Sequence, residues 1–112
     1  MQREVRALLS DVVKAGEAIL RYTAGKSFQE YDSDEMLRDA VERRFTIVGE
    51  ALKEALRQDG SVAQRITGLR DILAFRNVLV HAYATILNAA VWDKIQNHLP
   101  LLLTEVRALL DE

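Results

Sequence analysis

The sequence predicts an all-α bundle, and three observations predict it. Its 112 residues hold one proline, Pro100, and five glycines, so long stretches run without a helix breaker. Those stretches are rich in Ala, Leu, Glu, Arg and Lys, all good helix formers. Apolar residues recur at three- and four-residue spacing, and no strictly alternating run is long enough to argue a sheet. Short connections make successive helices neighbours, which predicts an up-down four-helix bundle, or a five-helix one. The length suits a single helical domain over residues 1–112.

The first helix is expected from Gln2 to Thr23. Val5, Leu8, Leu9, Val12, Ala15, Gly16, Ile19 and Leu20 make its apolar stripe, and Gly25 is placed to stop it. A polar connector, Lys26 to Asp32, follows, with Phe28 and Tyr31 turned to the core. The second helix is expected from Asp34 to Gln58, with Asp32 and Glu35 at capping-box spacing and Gly60 ending it. Leu37, Ala40, Val41, Val48, Ala51, Leu52 and Ala55 form its stripe. Gly49 sits mid-helix, where glycine costs about 1 kcal/mol against alanine, so it is expected to admit a close helix approach.

A third helix is expected to start at Ser61, with Gln64 completing a capping box. Ile66, Leu69, Leu73 and Val80 share one face, and Ile72, Phe75 and Leu79 form a second beside it. A helix apolar on two faces is either central or faces a partner chain as well as its own core. The fourth helix is expected from Asn88, as N-cap, through Val91, Trp92, Ile95 and Leu99 to Leu110, with a kink at Pro100.

Composition excludes several kinds of function. There are no cysteines, which removes disulfides, thiolate metal sites and a cysteine nucleophile. The two histidines, His81 and His98, are too few and too far apart to argue zinc. No apolar run approaches the roughly 18–20 residues of a membrane span. The N-terminus carries charges of both signs and does not read as a signal peptide, so the expected compartment is the cytoplasm. A net charge of −2 argues against broad electrostatic adhesion to nucleic acid and leaves room for a small local site.

One stretch concentrates chemistry: Phe75-Arg76-Asn77-Val78-Leu79-Val80-His81-Ala82-Tyr83. Arg76 carries a permanent cation whose fork fits phosphate oxygens. His81 exchanges a proton near neutral pH. Asn77 lies one turn before His81, about 40° round the helix, where its amide is placed to orient the imidazole. Tyr83 falls within about 20° of the direction of Arg76, whereas Arg76 and His81 diverge by about 140°. Either the long side chains curl to a shared edge or a second copy of the chain completes the site. A purely structural alternative reads the same residues as a buried His and Tyr, with Arg76 in an intramolecular ion pair. Outside the stretch, His98 and the Glu42-Arg43-Arg44 cluster read as solvated, Glu50 as an ion-pair partner and Trp92 as core.

The pattern Arg-x-x-x-x-His-x-Tyr, at Arg76, His81 and Tyr83, resembles the signature of HepT-like toxins of the HEPN superfamily. Val48-Gly49-Glu50-Ala51, Arg76-Asn77 and Val91-Trp92 extend the likeness along essentially the whole chain. The resemblance implies a HEPN-like bundle that dimerises through the motif helices. It implies a metal-independent endoribonuclease with Arg76 and His81 catalytic and Asn77 supporting. It also implies an MntA-like partner antitoxin, a minimal nucleotidyltransferase that silences the toxin by moving AMP from ATP onto the motif tyrosine, here Tyr83. The expected ligands are then RNA as substrate, no metal or cofactor held by this chain, and no membrane. A second expectation is a non-catalytic helical module that dimerises and partners a nucleotidyltransferase.

Overall fold

The computed structural model describes residues 1–82, 84 and 86–112, and no strand occurs among them. The fold is an all-α, HEPN-like bundle. Its elements are α1 (Arg3–Thr23), α2 (Phe28–Ser33), α3 (Glu35–Gln58), a 3₁₀ turn (Gly60–Gln64), α4 (Leu69–His81), α5 (Asn88–Asp93), a π-helical turn (Lys94–His98) and α6 (Leu99–Leu110).

Helices α1 and α3 form the spine, with α6 against α1 and α4 against α3. The predicted stripes supply the core: Val5, Leu9, Val12 and Ile19 from α1 and Val41, Val48 and Leu52 from α3 are buried. Ile95, Leu99, Leu103 and Val106 close it from the C-terminal side. Gly16 lets α6 approach, since a Cβ there would stand 2.6 Å from Leu103 Cδ2. Phe45 belongs to the α3 stripe too, four residues after Val41, and lies in the core although it follows a charged triplet. The Arg6 guanidinium donates to the Leu110 carbonyl, which ties the start of α1 to the end of α6.

Several boundaries differ from those expected, and local hydrogen bonds explain why. The connector after Gly25 contains α2, capped by a reciprocal Ser27–Glu30 box. Asp34, not Asp32, caps α3 by accepting from the Leu37 amide at 3.0 Å. Asp32 instead accepts from the Asn88 side chain at 2.8 Å, and Leu87 takes the N-cap position that the sequence gives to Asn88.

The third helix begins eight residues later than Ser61 suggests. Asp59, the C-cap of α3, accepts from both the amide and the hydroxyl of Ser61 and so starts a 3₁₀ turn at Gly60. The chain then turns at Gly68, whose φ of +69° suits glycine, and α4 follows.

The expected disturbance near Pro100 takes the form of the π-helical turn one turn earlier. Proline has no N–H to donate and crowds the carbonyl four residues back, that of Gln96, which lies within this turn. There the Leu99 amide reaches back five residues to the Lys94 carbonyl.

Tyr31 lies at the α2–α5 contact, its ring 5.5 Å from that of Trp92. It is fully buried, and its hydroxyl has no hydrogen-bond partner among the described residues. Burial pushes the phenol well above its ordinary pKa. An orphaned buried hydroxyl costs about 1–3 kcal/mol. Tyr31→Phe is therefore expected to raise the unfolding free energy by about 1 kcal/mol in a urea titration. A loss of that size would show that the hydroxyl has a partner.

Candidate active site

Helix α4 carries Arg76, Asn77 and His81 and is the least covered of the long helices. Only Leu69 and Leu79 on it are buried, while Ile72, Leu73 and Phe75 are partly buried against the core. Phe75 and Phe45 pack edge to face with ring centroids 5.2 Å apart, and the Lys94 ammonium lies 5.8 Å from the Phe75 ring centroid. The opposite side of α4 shows Arg70, Ala74, Asn77, Val78 and His81 to solvent. At 100° per residue these five fall on one side of the helix. Val78 is 41% exposed and Leu87, just before α5, 70%.

Arg76 points the other way, toward α3, and its side chain is only 15% exposed. Gly49 makes room for it, because a Cβ on Gly49 would lie 2.3 Å from Arg76 Cβ and 2.4 Å from Cγ. The close helix approach expected at Gly49 is therefore made by the motif arginine itself. The guanidinium Nη1 donates to Asn77 Oδ1 at 2.9 Å, and Nη2 stands 3.6 Å from Glu50 Oε1. Nε is buried without an acceptor among the described residues.

The structure thus brings Arg76, Asn77 and Glu50 together and leaves His81 apart, at the last residue of α4 and in solvent. Among the described residues, no hydrogen bond or ion pair joins His81 to Asn77, whose amide oxygen is occupied by Arg76 rather than placed on the imidazole. Tyr83 lies outside the described residues. The purely structural alternative is half met: Arg76 has its ion pair, but His81 is not buried.

The remaining polar residues fall as follows. His98 is exposed, with Nδ1 3.6 Å from Asp93 Oδ2. Trp92 packs partly buried against the core. The Glu42-Arg43-Arg44 triplet is less solvated than its charge suggests. Arg43 is exposed, but Arg44 lies 6.0 Å from the Tyr22 ring, and partial burial raises the Glu42 carboxyl pKa. No cluster of three metal-ligating His, Asp or Glu side chains forms among the described residues. No described helix is long and apolar enough to cross a membrane.

Comparison with known proteins adds an independent line. The model of the family described as "Ribonuclease HepT-like" matches residues 13–109. The chain belongs to this HepT-like family. It is similar to a "Putative RNase" of Methanocaldococcus jannaschii, 26% identical over 94% of this chain and 95% of that one. A "Probable ribonuclease HepT" of Thermococcus cleftensis is 28% identical over 91% of this chain and 92% of that one. A "Gamma-glutamylcyclotransferase and putative RNase" of M. jannaschii is 25% identical over all of this chain, which spans half the length of that relative. No solved structure matches. In this HepT-like chain, Glu50 is the ion-pair partner that the sequence suggested; what spacing alone left unassigned is that its partner is the motif arginine, Arg76.

Proposed function

We propose that this chain is the toxin of a toxin–antitoxin pair and a metal-independent endoribonuclease. The observation that carries the reading is the division of labour on α4. A cation with unspent N–H donors is held against α3, and an imidazole stands free in solvent five residues later. RNA supplies its own nucleophile, the 2′-hydroxyl. His81 takes the proton from that hydroxyl as the oxygen attacks phosphorus, and Arg76 bears the charge that grows on the phosphoryl oxygens. The bond from phosphorus to the 5′-oxygen breaks and that oxygen takes up a proton, from water or from the His81 imidazolium, which otherwise gives its proton back to solvent, leaving a 2′,3′-cyclic phosphate and a 5′-hydroxyl.

Arg76 and His81 diverge on one helix, so the proposed site is composite and forms where two α4 helices meet in a two-fold dimer. The uncovered face of α4, with Ala74 and Val78 beside His81, supports this. The test is direct. The purified chain is incubated with an oligoribonucleotide and the product ends are read by mass. Cyclic phosphate ends are expected, and an intact oligonucleotide would leave the chain a non-catalytic partner of a nucleotidyltransferase.

Control is proposed to act through Tyr83, two residues after His81. AMP on this phenol would add a purine and a negative charge two residues along the chain from His81, in competition with the RNA phosphate for Arg76. Co-expression with an MntA-like nucleotidyltransferase is expected to add one or more AMP units to the intact mass. The added mass should map to Tyr83 and be absent in Tyr83→Phe. Full inhibition of a chain of unchanged mass would mean the partner acts by binding alone.

A further inference from the structure

The pair Gly49-Glu50 on α3 forms a cradle for Arg76, and the two residues do different work. Arginine is long and loses considerable rotamer entropy when fixed. Here the first part of its stem fills the volume that any side chain at position 49 would occupy, at 2.3 and 2.4 Å from the Cβ site. That fixes where the stem starts but not how the planar head is turned. The head is oriented by two groups: Asn77 Oδ1, 2.9 Å from Nη1, and Glu50 Oε1, 3.6 Å from Nη2. The second contact is longer than a hydrogen bond and its carboxylate is half exposed, so the pair adds little to fold stability. A weak ion pair still sets direction, because the alternative head positions lack it.

We propose that Glu50 is a positioning residue for the ribonuclease reaction, holding the Arg76 guanidinium in the plane in which it meets the phosphate, with Gly49 as the notch that makes this possible. The inference rests on the ribonuclease reading and deepens it. Glu50 is placed to touch Arg76 rather than substrate, so its loss disturbs the turnover step more than binding.

The full-length chain tests this by two independent readouts. In steady-state cleavage of an oligoribonucleotide, Glu50→Ala is expected to lower kcat between about tenfold and a hundredfold while KM changes by less than about twofold. Glu50→Asp, which keeps the charge, should recover part of the loss. Thermal melts of both variants should stay close to wild type. In ¹⁵N spectra, the Arg76 side-chain signals, assigned by their loss in Arg76→Lys, should show restricted rotation in wild type and averaged signals in Glu50→Ala. Gly49→Ala should perturb the same signals.

Unchanged Arg76 signals in Glu50→Ala would overturn the proposal, as would unchanged kcat or a fall in KM at constant kcat. The last result would mark Glu50 as a competitor of the phosphate. A wild-type chain that cleaves no RNA overturns the ribonuclease reading instead, and the spectra still decide whether Glu50 orients Arg76.

Discussion

His81→Ala is expected to lower RNA cleavage by about 10²–10⁴-fold, the range that a lost general base costs. The side chain is exposed and makes no hydrogen bond or ion pair among the described residues, so stability should stay within about 0.5 kcal/mol of wild type. Arg76 needs a gentler substitution, because its stem fills the notch over Gly49. Arg76→Lys keeps the stem and the charge but loses the planar fork that meets phosphate oxygens at two points. It should therefore also lose most of the cleavage while the helical signal in circular dichroism stays unchanged. Neither role calls on a metal, so cleavage is expected to persist in EDTA. Cleavage that stops on chelation and returns with added divalent cation would remove His81 from the role of general base.

Val78→Glu should have the second large effect. Val78 is exposed on the same side of α4 as His81, on the face proposed to meet a second copy. In a two-fold interface one substitution appears twice, and the two carboxylates would be brought near each other. An unpaired charge buried in an interface costs roughly 3–5 kcal/mol, so the dimer dissociation constant should rise by more than about a hundredfold. Sedimentation should show a dimer for the wild-type chain at micromolar concentration and a monomer for Val78→Glu, with cleavage lost in parallel. A wild-type monomer that cleaves RNA would overturn the composite site.

The parts of the fold that were legible in the sequence are those governed by helical periodicity. The α1 and α3 stripes emerge at the spacing that buries Val5, Leu9, Val12, Val41, Val48 and Leu52. The parts that were not legible are decided by single hydrogen bonds between competing polar residues. Ser61 looks like a helix cap from its spacing to Gln64, but Asp59, two residues earlier, captures both its amide and its hydroxyl. Asp32 looks like the cap of α3 from its spacing to Glu35, but the Asn88 side chain, far along the chain, takes Asp32, and Asp34 caps the helix instead. At the site, residue types and spacing singled out Arg76, Asn77 and His81. Spacing within one helix cannot reveal a contact to another helix. Asn77 therefore appeared to serve His81, when the position of α3 turns Arg76 back onto Asn77 and Glu50.

The bond from Arg6 to the Leu110 carbonyl has a consequence beyond stability. It closes the polypeptide into something near a loop, with the beginning of the first helix and the finish of the last side by side. A unit of that shape can be attached to another fold, or set inside one, through a single small patch of surface, with no segment having to cross its body. The M. jannaschii relative that this chain matches over half its length is a longer polypeptide. For engineering, the same closure makes a short linker between the two ends a practical route to circular permutants, in which α4 could be freed at one end and the order of assembly around it varied.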